Sequence, residues 1–441
     1  MIWRGLTFVI VIVLGPACSS MRVETTLAAP AQTQEGVRLT IAEAEAIALR
    51  NNPQITIGKL RALEARQYVR ETRSALLPTA FLNVTGVDSQ SGSRIAAGFL
   101  NSPSLYTRAA AGTEVTQLIT DFGRTTNLLA SSEFQAKAED KNAVATTADI
   151  ILAVDQAFYH VLETSELVKV AQQTLDTRQT VVDKVQALTA AKLKSDLDLS
   201  FTKVDLARAK LLHLEARNNF QESLAALSAI LGYQEEQKFQ LVEPTMQIAP
   251  PVADPLPLIL SALRQRPEIS ALEYQVESAQ KNSNAEHDLW RPTITALGAA
   301  GLAPARDPQV QNWYGAVGVN INIPVFNGFL YNARAKTADL QTEVNRQKLT
   351  DLRNNIARDV RVTWLDTNRA YERLSVTQEL REQASLALDL AQARYNLGLG
   401  SIVEFSEAEL QKTESDIADT DARYQYRLSQ ILLAYVTGMQ R

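Results

Sequence analysis

Few residues in this chain have the type and spacing that catalytic or metal chemistry needs. The three histidines, His160, His213 and His287, lie far apart, and none has a histidine or cysteine three or four positions away. There is also no G-x-S-x-G elbow, phosphate-binding loop or dinucleotide fingerprint. The sequence therefore predicts no metal, no cofactor and no enzymatic activity. Carboxylates are numerous along the predicted helices, so the sequence does not exclude a catalytic pair of acidic residues.

The single cysteine, Cys18, indicates a different chemistry. It follows a short apolar run that begins after Arg4, and residues 1–17 predict a secretory signal peptide. Cys18 then lies where a bacterial lipoprotein is cleaved and acylated, and residues 18–37 would form an N-terminal tether. The alternative is a leader that is cleaved further on, near 27–29, and carries the cysteine away.

Bulk composition excludes some function classes. The formal net charge is -5 over 441 residues, and no block rich in lysine and arginine occurs, so nucleic acid is not an expected partner. After the leader there is no apolar run of about 20 residues, the length that a transmembrane helix needs.

The chain contains an internal duplication. Two proline pairs lie 214 residues apart, Pro53 with Pro267 and Pro78 with Pro292. Four further pairs lie 206 residues apart: Asp121 with Asn327, Phe158 with Trp364, Ser195 with Ser401, and Gly232 with Gly438. A constant offset over this length indicates two structural repeats. We predict repeats at 38–232 and 256–441, joined by a proline-rich linker at 233–255.

Long segments without glycine or proline predict the elements that position any site. Residues 124–190 and 329–396 would each form a helix of about 100 Å. Return helices are predicted at 196–231 and 402–437, and a third pair at 40–76 and 256–291, each about 50 Å long. Two short helices, one from each end and stacked end to end, have the length of one long helix. This match favours a cylinder of paired helices.

Apolar residues recur every seven positions in the second return helix, as coiled coils require, although packing within one bundle gives the same pattern. The residues are Val403, Leu410, Ile417, Tyr424 and Ile431. Period-two alternation at 314–326 predicts a strand with one apolar face, and weaker strands are predicted at 79–87, 112–120 and 293–299. Four strands cannot close a barrel with a useful lumen, so we expect several subunits to pool their strands.

This layout resembles the TolC-like outer membrane efflux proteins over residues 38–440. The resemblance rests on the duplication, on the strand-ending turns at 121–123 and 327–329, and on the helix-turn motif at 393–404. It implies a mainly α fold with a β-barrel portion: long coiled-coil-like helical hairpins and four transmembrane strands per subunit. It further implies a homotrimer with a 12-stranded barrel in the outer membrane and an α-helical tunnel across the periplasm.

The resemblance also implies a gate at the periplasmic tip of the tunnel. The matching positions are Tyr395, Glu404 and Glu407 in the second repeat, and Asp198 is the counterpart of Glu404 in the first. Threefold symmetry would turn each glutamate into a ring that attracts cations. Gly400 stands where the best-known member has a gating arginine, which leaves the closing residues open.

The turns at the tip are the implied contact for a periplasmic adaptor protein. Gly398 and Gly400 also suit a tight reversal of the chain, because glycine accepts positive φ. The predicted contact residues are Leu397, Gly398, Leu399, Gly400, Lys192 and Lys194.

The function implied is a passive exit duct for drugs and other toxic small molecules, coupled through the adaptor to an inner-membrane pump and seated in outer-membrane lipid. We expect the pump to determine the exported substrate. Two alternatives stay open: the exit duct of a type I protein-secretion system, and a periplasmic coiled-coil scaffold anchored by lipid at Cys18. A scaffold accounts for the helices but leaves the strands unexplained.

Overall fold

A computed structural model describes residues 37–88, 95–97, 100–102, 108–235, 237, 239–244, 248–303 and 311–439. The predicted leader, the lipidation site at Cys18 and the tether up to residue 36 lie outside these residues.

Eight α-helices lie in the described residues, and each half of the chain contributes four in the same order. Helices α3 and α7 have 67 residues each, and α4 and α8 have 35 each, so the predicted long helices and return helices are confirmed. The bounds are α1 Ile41–Asn51, α2 Pro53–Ser74, α3 Arg124–Ala190, α4 Asp196–Ile230, α5 Leu256–Gln265, α6 Pro267–His287, α7 Leu330–Asn396 and α8 Ile402–Val436.

The prediction of one continuous helix at 40–76, and of another at 256–291, is wrong. Each is broken before a proline, at Asn52 and at Arg266, where the backbone is extended with φ -68°, ψ 123° and φ -66°, ψ 125°. The proline ring disfavours helical backbone in the residue before it. Asn52 also caps α2 by accepting a hydrogen bond from the Gln54 amide at 2.9 Å.

Where the structure describes the chain, the strands form one four-stranded antiparallel sheet and two small pairs. The sheet order is β2-β5-β7-β8, so each repeat contributes one hairpin, while β1 pairs in parallel with β6 of the linker. The strand predicted at 314–326 is too long, because it ends at Asn322, before Pro324. The bounds are β1 Val37–Leu39, β2 Thr79–Val87, β3 Ile95–Ala97, β4 Leu100–Ser102, β5 Arg108–Thr120, β6 Phe239–Leu241, β7 Thr293–Leu302 and β8 Trp313–Asn322.

The buried core lies midway along the helices. Val154, Phe158 and Tyr159 of α3 pack against Leu227 of α4 and the small side chains of α1. A second cluster joins α5, α6 and α7, and a third lies near the ends of the long helices. In the described part of the chain no helix is both long and apolar enough to cross a membrane.

Candidate functional site at the helical tip

Two equivalent turns form the tip. In the second turn Gly398 has φ +74°, and in the first Lys192 occupies the equivalent position with φ +60°. In both turns the amide three residues past the last helical residue bonds back to the last turn: Leu193 to the Leu188 carbonyl at 2.9 Å, and Leu399 to the Arg394 carbonyl at 2.8 Å. The left-handed residue closes the helix and reverses the chain.

Serine side chains start both return helices. Ser195 Oγ accepts from the Asp198 amide at 3.1 Å, and Ser401 Oγ accepts from the Glu404 amide at the same distance. In the first turn the Asp198 carboxylate accepts the Ser195 amide in return, at 3.3 Å. Asp198, predicted to form part of the gate, thus completes a capping box, in which its carboxylate bonds to the start of its own helix.

Tyr395 lies inside the protomer, between the two turns. Its side chain is buried, with its ring stacked on Phe405 at 5.5 Å between centroids. The ammonium of Lys194, from the first turn, lies 3.8 Å from the centre of the ring. Burial, followed by the negative charge of Asp198, raises the pKa of the Tyr395 hydroxyl. The ring therefore contacts residues of both hairpins.

Glu404 is paired, which the sequence analysis did not foresee. Its carboxylate contacts Arg394 Nε at 3.2 Å, and both side chains are about half exposed. Gly400 leaves the space for this pair, since a Cβ there would lie 3.1 Å from Glu404 Oε2 and 3.2 Å from the Arg394 Cβ. Arg394, six residues before Gly400, thus supplies a positive charge beside Glu404.

Glu407 lies in a groove between α4 and α8. The groove has a volume of about 480 Å³ and is lined by Phe201 and Val204 from α4 and by Val403 and Leu410 from α8. Three side chains of the seven-residue repeat, Val403, Leu410 and Ile417, thus line the groove. Glu407 accepts a hydrogen bond from Gln411 at 3.1 Å, within its own helix.

Besides the contact of Lys194 with Tyr395, three polar contacts join the two repeats near the tip, and sequence reasoning missed all of them. Arg178 of α3 forms an ion pair with Glu409 of α8, and both side chains are buried. Ser406 Oγ donates to Asp205 Oδ2 at 2.6 Å, and Lys184 Nζ donates to Asn396 Oδ1 at 2.9 Å. Each contact spans 200 residues or more, so no local pattern could have indicated it.

The predicted adaptor contacts are accessible. Leu397 and Leu399 are 74% and 69% exposed, although they are apolar. Leu193 of the first turn, which was not predicted, is equally exposed at 70%. Exposed leucines at the end of a long rod are candidates for a protein contact.

The side chains described at the tip are not arranged for catalysis. Within the described residues no group of histidine, cysteine, aspartate and glutamate is arranged to hold a metal ion. The three described histidines are separate, and two of them contact a carboxylate: His160 with Glu163 and His287 with Asp339.

Helical hairpins of this length, joined at one end to a sheet and tied together at the other, define a subunit of a channel rather than an enzyme. The outer membrane efflux protein family matches residues 46–233 and 258–439. The chain belongs to this family. It is an outer-membrane protein that extends into the periplasm, and it serves as an efflux duct.

Relatives and solved structures agree with this assignment. The outer membrane protein TolC of Vibrio cholerae is 24% identical over 409 residues, covering 88% of each chain. The probable outer membrane lipoprotein SilC of Salmonella typhimurium is 22% identical, covering 89% of this chain and 84% of its own. The fold is similar to that of CusC, with a TM-score of 0.79, 19% identity and coverage of 90% and 92%. It is also similar to VceC of Vibrio cholerae, with a TM-score of 0.77, 17% identity and coverage of 90% and 96%.

Proposed function

We propose that this chain forms a homotrimeric exit duct of a tripartite efflux system, which carries drugs and other toxic small molecules to the exterior. The observation that supports it best is the four-stranded sheet on top of long helical hairpins, whose two outer strands each lack a neighbour on one side within the described residues. Such a sheet encloses a lumen only when several copies join. The toluene efflux pump protein TtgC of Pseudomonas putida is 22% identical and covers 81% of this chain, which supports export of small molecules.

The exposed residues at the tip indicate which proteins this chain binds. We assign Leu397, Gly398 and Leu399 as the contact for a periplasmic adaptor, and Lys192 with Gly400 as its flanks, because exposed apolar side chains stand at the end of the helices. The energy for export comes from an inner-membrane pump bound through that adaptor. The lipidation of Cys18 is a further proposal, supported by the leader sequence alone.

The gate is proposed to be the set of contacts around Tyr395. Lys194 over its ring and the Arg178–Glu409 pair tie the second hairpin to the first and keep the tip closed. Glu407 supplies the acidic ring, since the charge of Glu404 is balanced by Arg394. Accordingly, Glu407→Gln should lower the cation preference of the open pore, whereas Glu404→Gln, which frees an arginine, should lower it at least as much. A reversal potential in a salt gradient that neither substitution changes would remove both glutamates from the conduction path.

The function can be tested by expression in a bacterial strain that lacks its own efflux exit duct, together with candidate adaptor and pump genes. The measurement is intracellular accumulation of a fluorescent efflux substrate. We expect lower accumulation with the native chain. The matched control is Leu397→Asp with Leu399→Asp, which should assemble normally and leave accumulation high. Unchanged accumulation with the native chain in every adaptor and pump combination, while a known duct restores export, would contradict the proposal.

A further inference from the structure

The groove between α4 and α8 combines a concave shape with exposed apolar side chains. Its volume of about 480 Å³ lies in the range of small-molecule sites. The apolar side chains that line it are Phe201, Val204, Leu212, Val403, Leu410 and Ile417. Of these, Phe201, Val204, Val403 and Leu410 are between 40% and 55% exposed. Apolar surface of this kind is available to a ligand, since it is not used in the core.

The arginines of the groove have carboxylate partners of their own. Arg178 is buried and forms an ion pair with the buried Glu409. Arg208, which is largely exposed, lies with Nη1 3.6 Å from Asp205 Oδ1. Each arginine is thus balanced by one acidic side chain, and these four residues together add no net charge to the groove.

Two further carboxylates line the groove and have no such balance. Glu407 and Glu414 are both exposed on α8, two helical turns apart. Glu407 accepts a hydrogen bond from the neutral Gln411. Across the part of the chain that the structure describes, neither glutamate forms an ion pair. The groove therefore carries two uncompensated negative charges beside its apolar walls.

The duplication indicates that the helices do not need these two carboxylates for packing. The equivalent positions on α4, 206 residues earlier, are Phe201 for Glu407 and Arg208 for Glu414. The apolar character of the walls is kept in both repeats, as Val204 and Leu410 show. The same helix position thus accepts an aromatic ring or an arginine, and the acidic pair is specific to α8.

We infer that this groove binds lipophilic organic cations in transit, an assignment that rests on the proposed duct with Glu407 facing its lumen. The apolar walls hold the hydrocarbon part of the ligand, and Glu407 and Glu414 attract its charge. The Phe201 ring adds a face that favours a cation. An acidic ring alone attracts any cation, whereas the groove adds apolar contact and so selects cations that carry large apolar groups. The duct itself then favours one class of substrate.

A matched pair of ions separates charge from apolar contact. Tetraphenylphosphonium and tetraphenylborate carry the same four phenyl groups and opposite charges. Equilibrium dialysis of the full chain in lipid nanodiscs, with empty nanodiscs as the blank, measures the binding of each ion. We expect saturable binding of one phosphonium ion per chain, with a Kd at least about tenfold lower than that of the borate, because the groove attracts one charge and repels the other.

Four substitutions locate the binding in the groove. Glu414→Gln should raise the Kd of the phosphonium ion about threefold, and Phe201→Ala about fivefold. Arg208→Gln, which leaves Asp205 unbalanced, should lower the Kd about threefold. The control Glu215→Gln removes an exposed carboxylate of α4 outside the groove and should leave the Kd unchanged. Opposite effects at Glu414 and Arg208 are a result that general loosening of the fold does not give.

Single-channel current gives an independent measurement on the same protein. The phosphonium ion should block open channels in brief, concentration-dependent events, while the borate should not. The half-blocking concentration should rise about threefold in Glu414→Gln, in step with the Kd.

The outcomes distinguish the groove from the duct. Equal binding of the two ions, or a phosphonium Kd that neither Glu414→Gln nor Phe201→Ala changes, would indicate adsorption to apolar surface only and overturn the inference. Conducting channels that neither bind nor are blocked by the phosphonium ion would also overturn it and leave the duct intact. A chain that binds the ion with the expected variant effects, yet never conducts, would support the cation site and contradict the proposed duct.

Discussion

At the residue scale, the tip is held by charged groups whose partners lie on the other repeat. Lys194 is the simplest to test, because its ammonium lies over the Tyr395 ring and near the Tyr395 carbonyl. A cation over an aromatic ring contributes about 1 kcal/mol at such a site. Lys194→Met should therefore raise the ratio of open to closed time in single-channel records by about fivefold.

The control for that substitution is Lys192→Met in the same turn. Among the described residues Lys192 makes no side-chain hydrogen bond or ion pair, so its loss should leave the open time unchanged. Equal effects of the two substitutions would indicate that lysine charge in general, and not the contact with Tyr395, holds the tip.

The buried pair of Arg178 and Glu409 gives a second prediction. The two side chains are 8% and 5% exposed, and removal of one partner leaves an uncompensated buried charge. Glu409→Ala should lower the free energy of unfolding by about 3 kcal/mol. The double variant Arg178→Met with Glu409→Leu should recover most of that loss in urea unfolding. A double variant as unstable as the single one would show that the charge pair itself is needed.

A third prediction concerns pH. Burial, and then the neighbouring Glu45 carboxylate, raise the pKa of Asp155 to about 7, although Arg427 opposes the shift. The folded chain thus holds a proton that the unfolded chain releases near the ordinary pKa of an aspartate, about 4. The contribution of Asp155 to the free energy of unfolding is complete below pH 4. It falls by roughly 1.4 kcal/mol per pH unit as the pH rises to 7.

Asp155→Asn removes that proton uptake. The variant should lose less stability than the native chain between pH 5 and pH 7, and it should be the more stable of the two at pH 8. Melting temperatures at a series of pH values measure both. Parallel curves for the two chains would show that Asp155 is ionised throughout, contrary to this account.

At the scale of elements, the two turns offer a comparison built into the duplication. Lys192 and Gly398 occupy equivalent positions with positive φ, where a side chain costs about 1 kcal/mol. Lys192→Gly should therefore stabilise the chain by about 1 kcal/mol in urea unfolding, and Gly398→Lys should destabilise it by a similar amount. A loss of stability in Lys192→Gly would show that the lysine side chain makes a compensating contact.

Most of the elements could be predicted from the sequence, because their causes are local. The uninterrupted runs of helix-forming residues defined α3, α4, α7 and α8 to within a residue or two. Errors arose where proline acted, at Pro53, Pro267 and Pro324. The pairings at the tip, such as Arg178 with Glu409 and Lys194 with Tyr395, could not be predicted, since they depend on how the two hairpins pack.

The role of single site residues was harder to predict for the same reason. The resemblance placed Glu404 in an acidic ring at the gate, and the structure shows Arg394 beside its carboxylate. The resemblance placed Tyr395 at the gate, and the structure shows its ring buried and stacked on Phe405. Symmetry and spacing identify which positions come to the tip, whereas the direction of each side chain is set by packing.

At the scale of the whole molecule, the described part of the chain has surfaces that no other part of it covers. The sheet has two open edges, and apolar residues such as Leu60 and Leu340 are exposed along the helices where the neighbouring repeat would lie. Both observations follow if the repeats continue around a ring of identical chains. In the proposed system the energy for transport comes from the inner-membrane pump.

The most direct test of this account is a single-channel recording of the purified protein in a planar lipid bilayer, with the native chain beside Lys194→Met. A duct formed by this chain should show discrete, long-lived conductance that prefers cations, with rare openings in the native chain and about fivefold more open time in the variant. Absence of conductance in both, from protein shown to be trimeric and inserted in the bilayer, would contradict the claim that this chain forms a duct.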